Sequence, residues 1–115
     1  MAYELVYLGT CVPPVGRPFA GPIAPQFPVG TRFELAVGKR MPIGRAPDAA
    51  ILVDSMIIAR HHAAVTLEAD GRLRLEHLGG GGVFVEGAYV SDETRVTEGQ
   101  TFELAGQLVF AFRQS

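Results

Sequence analysis

Apolar and polar residues alternate with a period of two through much of this chain. Residues 31–37 show it most plainly: Phe33, Leu35 and Val37 share one face, Arg32 and Glu34 the other. That period marks a half-buried strand. Residues 72–77 repeat it, with Leu73 and Leu75 inward and Arg72, Arg74 and Glu76 outward. Residues 63–67 precede that run, and Glu68-Ala69-Asp70-Gly71 lies between the two. Its Asp-Gly pair marks a hairpin, because glycine takes the positive φ such turns require. Residues 3–8 are rich in aromatic and β-branched side chains and predict a first strand. Short strands are also predicted over 50–53, 83–85, 88–90, 95–97, 101–105 and 108–112, with Gly87, Gly99 and Gly106 between them. The spacing predicts an all-β chain folded as a β-sandwich.

Two segments break the pattern. Residues 9–30 carry Pro13, Pro14, Pro18, Pro22, Pro25 and Pro28 among Gly16 and Gly21. The segment is too long for a tight turn and cannot be helical, so an extended loop of polyproline character is expected. Val15, Phe19, Ile23 and Phe27 suggest that it packs on the domain. It reads either as a surface insertion, which loops tolerate, or as a binding lid or docking segment. Residues 54–69 contain no glycine or proline, and Asp54 or Ser55 suits a helix N-cap. A helix there is the alternative reading. It is opposed by Met56, Ile57 and Ile58, which are consecutive rather than spaced by three and four.

Composition narrows the class. The 115 residues fit a single domain, and at 48% apolar they can bury a core without disulfides or metal. The 14 glycines and 8 prolines leave little room for ordinary helices. A formal net charge of −2 argues against a nucleic-acid partner and against a polybasic membrane anchor. Cys11 is the single cysteine, so no intramolecular disulfide is available. No apolar run approaches the ~20 residues of a spanning helix, and residues 1–6 lack the features of a signal peptide. The expectation is a soluble, cytoplasmic domain with no membrane or nucleic-acid partner.

The candidate chemistry gathers in residues 41–64. Arg45 follows Gly44, and its planar guanidinium suits phosphate; the alternative is an ion pair with Asp48 or Asp54. Arg60 offers a second positive charge, or a surface ion pair. His61 and His62 are adjacent, so on extended chain they point opposite ways, and no third ligand is placed to complete a metal site. His62 is expected as a buried, hydrogen-bonded brace and His61 as an outward residue. Residues 79–82 are four glycines. They either offer backbone N–H groups to an anion or form a merely flexible loop. No nucleophile–base pair and no phosphate loop followed by a helix is present, so neither catalytic residues nor a cofactor are expected.

Ile43-Gly44-Arg45, Asp48, Ile58-Ala59-Arg60-His61-His62-Ala63, Gly82-Val83-Phe84-Val85-Glu86-Gly87 and Glu98-Gly99-Gln100-Thr101-Phe102 occur in that order. The set resembles the forkhead-associated (FHA) domain pattern. That pattern runs Ile-Gly-Arg, Asp, Val-Ser-Arg-x-His-Ala, Asp-Leu-Gly-Ser-x-Asn-Gly-Thr-Phe-Val-Asn-Gly, then a Gly-Asp step before a closing hairpin. The likeness covers about residues 31–112.

The resemblance implies a sandwich of about eleven short strands whose loops at one end bind phosphothreonine peptides. It assigns the phosphate-facing arginine to Arg45, the brace to Gly44 and His62, and the motif's second arginine to Arg60. The glycine of Asn-Gly becomes Gly82. Two positions depart from the pattern: Ala59 stands in place of the serine and Gly81 in place of the asparagine. Glu86 replaces the second asparagine, where an inward carboxylate would oppose phosphate. Each lost hydrogen bond to a charged group costs ~1.5–3 kcal/mol, so two would weaken a ligand about a hundredfold or more. The expectation is a protein–protein interaction module for signalling or assembly, with phosphothreonine recognition weakened or lost. The alternatives are intact phosphothreonine-peptide binding through Arg45, Arg60 and loop backbone, or a structural, oligomerising domain.

Overall fold

Phe110 is the hub of the interior. Its ring stacks on Phe102 at 5.5 Å and 17° and is tilted against Tyr7 at 5.5 Å and Phe33 at 6.4 Å. These four aromatics come from four neighbouring strands of one sheet, so one layer is pinned by ring contacts worth ~0.5–1.5 kcal/mol each beyond area burial. The computed structural model describes residues 2–10, 28–53, 58–106 and 108–114. Cys11, most of the Pro/Gly-rich loop with its four apolar members, and residues 54–57 lie outside the described residues.

Among the described residues there are eleven strands and no helix. They are β1 (Tyr3–Thr10), β2 (Arg32–Leu35), β3 (Arg40–Gly44), β4 (Ile51–Leu52), β5 (Ala63–Leu67), β6 (Leu73–His77), β7 (Val83–Val85), β8 (Ala88–Tyr89), β9 (Glu93–Val96), β10 (Thr101–Leu104) and β11 (Leu108–Gln114). One sheet has the order β2-β1-β11-β10-β7-β8, the other β4-β3-β5-β6-β9. Leu5, Ile43, Leu73, Leu75, Phe102 and Phe112 are fully buried between them, and Tyr3, Phe33 and Leu35 are partly buried against this core.

Local chemistry sets the connections. Ala46-Pro47-Asp48-Ala49 closes with Ala49 N–H on the Ala46 carbonyl at 3.0 Å, with proline second, where its fixed φ suits a turn. This lets β4 return beside β3 in parallel, Ile43 opposite Ile51. Gly71, at φ +86, ends the β5–β6 hairpin in the left-handed conformation, as the Asp-Gly pair predicts. Glu86 and Gly87 form the two-residue turn between β7 and β8 with φ of 48° and 83°.

The outer face of the second sheet is covered rather than open. Arg40 on β3 reaches over β5 to Glu76 on β6, Nε to carboxylate at 3.2 Å. Ala64 and Thr66 lie beneath on β5 and are buried although they face outward. Small side chains there leave room for the ion pair to cross.

Several boundaries differ from expectation. Gly9 and Thr10 belong to β1, not to the loop. β3 falls in a stretch, 38–49, for which the sequence predicts no strand. β9 begins at Glu93 and ends at Val96, so Thr97 falls in the following turn. Val37, expected to face inward, is 64% exposed and makes only an isolated bridge to Leu67. Of the alternative helix, residues 58–62 form a turn and 63–67 form β5.

Candidate functional site: the apical loops

Three loops meet at one end of the sandwich: 45–50 after β3, the segment ending at 62 before β5, and 78–82 before β7. The first two are sewn together by backbone. Arg45 N–H donates to the Ala59 carbonyl at 3.0 Å, and Ala46 N–H to the Arg60 carbonyl at 3.1 Å. Contact this close requires glycine at 44, because a Cβ there would collide with the Arg60 carbonyl. The lack of a side chain at Gly44 therefore lets β3 touch the facing loop.

His62 is completely buried and ties these loops to the glycine run. Ala59 N–H donates to its Nδ1 at 3.1 Å. Nε2 lies 2.8 Å from the Gly82 carbonyl and donates to it. The ring must then be neutral, with its proton on Nε2. Burial holds its pKa below the ordinary histidine value; the Gly82 carbonyl opposes this, and the positive potential of His77 adds to it. The main chain of His62 also takes part: its N–H donates to Ile43, and its carbonyl accepts from Leu78 N–H at 3.0 Å.

Gly80 packs against this ring. At φ +83 it occupies a conformation that L side chains rarely adopt, and a Cβ there would stand 2.6 Å from His62 Nδ1 and 2.9 Å from the Ala59 methyl. The glycine run thus has a specific fit to Ala59 and His62 at Gly80. Gly82, at φ +111, is buried beside Phe84, and its carbonyl also accepts from Ala105 N–H at 2.8 Å. Gly81 is exposed. In the sequence the four glycines stand out only as a run, with nothing to mark Gly80 as the member fitted to the ring; Ala59, three residues before His62 where the family pattern has serine, was the available signal.

The charged groups sit on the surface of this assembly. Arg45 is exposed, and its Nε donates to the Ile58 carbonyl at 3.1 Å, which fixes the base of the guanidinium. Arg60 and His61 are exposed on the adjoining loop. Among the described residues neither Arg45 nor Arg60 forms an ion pair, and Asp48 forms none. Among the same residues the N–H groups of Arg60, His61, Gly80 and Gly81 make no backbone hydrogen bond. Glu86 is turned aside: its carboxylate accepts the Thr101 hydroxyl at 3.3 Å. Tyr89, 59% exposed, stands edge-on to Phe84 and His77 beside Gly82. No three His, Cys, Asp or Glu side chains gather into a metal site among the described residues.

The fold is shared with solved structures. The FHA domain of the CT664 protein from Chlamydia trachomatis superposes with a TM-score of 0.77 at 24% identity, covering 100% of this chain and 99% of that one. The FHA domain of an Arabidopsis thaliana hypothetical protein gives 0.72 at 14% identity, over 98% and 85%. EmbR from Mycobacterium tuberculosis, in complex with a low-affinity phosphopeptide, gives 0.70 at 19% identity, over 99% of this chain and 24% of that one. Nothing among curated protein sequences matches the chain. The FHA domain family model matches residues 41–105, from the start of the β3 core to the β10–β11 turn and so across all three apical loops, and the chain belongs to the FHA family.

Proposed function

We propose that this FHA domain is a non-catalytic signalling or assembly module that engages a phosphothreonine-containing segment of a partner protein at its apical loops. Arg45 and Arg60 supply the positive charge. The N–H groups of Arg60, His61, Gly80 and Gly81 supply donors that need no side chain. Affinity is reduced relative to a site with a serine at 59 and an asparagine at 81, because a hydroxyl donor and an amide anchor are missing. The observation that supports the reading most is the His62 clamp. It holds the Arg60 loop against the glycine run and leaves both arginines exposed and outside any ion pair among the described residues. EmbR, of the same fold, takes a phosphopeptide.

An immobilised degenerate phosphothreonine peptide library, with its unphosphorylated counterpart, tests this. Weak retention on the phosphorylated library alone is expected; equal retention on both would overturn it. A phosphate-independent reading is favoured by one contact, the packing of Gly80 on the Ala59 methyl. Ala59→Ser separates the two. An eroded phosphate site gains about tenfold in phosphopeptide affinity, from one charge-assisted hydrogen bond, and a phosphate-independent surface gains nothing.

A further inference from the structure

The outer edge of the six-stranded sheet is β2, and among the described residues no strand pairs with that edge. Edges of natural sheets are commonly blunted by lysine, proline or very short strands. β8 and β4 are two residues long. β2 has neither a proline nor a run of like charge.

Its backbone parity can be read from β1. Tyr7 N–H donates to the Thr31 carbonyl at 3.0 Å, and the register pairs Leu5 with Phe33 and Tyr3 with Leu35. Polar backbone groups of successive strand residues point to opposite sides. Residues 31, 33 and 35 therefore address β1, and the N–H and C=O groups of Arg32 and Glu34 point away from the domain. The side chains of those same two residues are exposed and of opposite sign. Arg32 is 3.7 Å from Glu4 with most of its side chain in solvent, and Glu34 has no ion pair among the described residues. Phe33, between them, is half-buried against Phe110.

We propose that β2 is a homodimerisation edge, taken by β2 of a second copy of this chain in antiparallel register about a two-fold axis at Phe33. That register sets each Arg32 opposite Glu34 of the second copy. It joins the outward backbone groups of residues 32 and 34 in four hydrogen bonds and brings the two Phe33 rings together on the core side. Any other in-phase register sacrifices a charge pair. β9 shows a similar alternation at Glu93 and Arg95, but Arg95 is already held by Glu68 and Glu93 of its own chain. The pairing leaves the apical loops of both copies open and pointing in opposite directions, so the dimer is bivalent and gains avidity on a doubly modified partner.

Sedimentation equilibrium of the full chain from micromolar to millimolar concentration tests the proposal. The wild type is expected to shift from the mass of one chain toward that of two. Glu34→Pro removes an outward N–H and no bond to β1, a setting in which strands accept proline; it is expected to stay monomeric with unchanged circular dichroism. Glu34→Arg places like charges opposite one another and weakens association by about tenfold or more. Combining it with Arg32→Glu restores the complement and returns association toward the wild-type level. A wild type that remains a single chain at millimolar concentration overturns the proposal, as does a Glu34→Arg variant that associates as well as the wild type.

Discussion

The imidazole of His62 sits 2.8 Å from the carbonyl oxygen of Gly82, twenty residues away, and its other nitrogen accepts the Ala59 N–H. One buried ring thus serves, among the described residues, as the only side chain hydrogen-bonded to both the Arg60 loop and the glycine run. His62→Phe keeps an aromatic ring but leaves the Ala59 N–H without its partner and the Gly82 carbonyl with Ala105 N–H alone. An unsatisfied buried polar group costs ~1–3 kcal/mol, so a loss of that size is expected in urea unfolding. A loss below ~1 kcal/mol would show that water or a backbone shift replaces the ring.

The same ring carries a pH dependence with a definite sign. Its folded pKa lies below the 6.5 of an ordinary histidine, first because burial disfavours the cation. The unfolded chain therefore binds a proton that the folded chain refuses. Stability is full above the unfolded value and is lost as the pH falls from about 6.5 toward the lowered folded pKa, with a slope of up to ~1.4 kcal/mol per pH unit. Imidazole NMR shifts should show His62 still neutral where a free histidine is half protonated. Titration of His62 at or above 6.5 would contradict the buried, neutral ring.

Gly44 and Gly80 are required for different reasons. Gly44→Ala drives a methyl into the Arg60 carbonyl, so the loop must separate from β3. Gly80→Ala adds a left-handed strain of ~1–2 kcal/mol and a contact with the His62 ring. Both variants are expected to lose ~2 kcal/mol or more. By contrast, Gly38→Ala meets nothing within 4 Å and carries only the strain of its φ of +80. If thermal unfolding ranks Gly38→Ala as the most damaging of the three, the close packing of the apical loops is wrong.

Glu86 offers a stabilising change. It holds a φ of 48° in a two-residue hairpin turn, where asparagine followed by glycine is preferred. Glu86→Asn is expected to raise stability by ~0.5–1 kcal/mol, net of the exposed bond to Thr101. A drop in melting temperature would mean that the Thr101 contact outweighs the backbone strain.

Much of the sandwich was legible because its signals are local. The alternation of Phe33 and Leu35 against Arg32 and Glu34 is visible within four residues, and the Asp70-Gly71 turn within two. β3 was not legible, since it contains Pro42 and Gly44, residue types depleted in strands. β4 pairs only with Ile43 and Gly44, so β3 is an edge at Pro42, where proline is tolerated. The burial of Ala64 and Thr66 on an outward face was hidden too, because the Arg40–Glu76 pair that covers them joins residues 36 apart. At the site, the ordered motifs lie where the loops meet: Gly44 at the end of β3, and Arg45, Ala59, Arg60, His62, Gly81 and Gly82 beyond the strands. The fit of Gly80 to His62, and which loop N–H groups make no backbone hydrogen bond among the described residues, depend on three-dimensional packing, and no pattern of side chains announces them.

In the proposed function the apical loops hold phosphate through the Arg45 guanidinium. Calorimetric titration of the library's best phosphothreonine peptide into the wild type and into Arg45→Ala tests it most directly, with the unphosphorylated peptide as control. Removing the charge-assisted bonds of the guanidinium is expected to cost ~1.5–3 kcal/mol, about tenfold or more in affinity, with a change in unfolding free energy of only ~1 kcal/mol from the lost bond to Ile58. Equal affinity of Arg45→Ala and wild type for the phosphorylated peptide would contradict it.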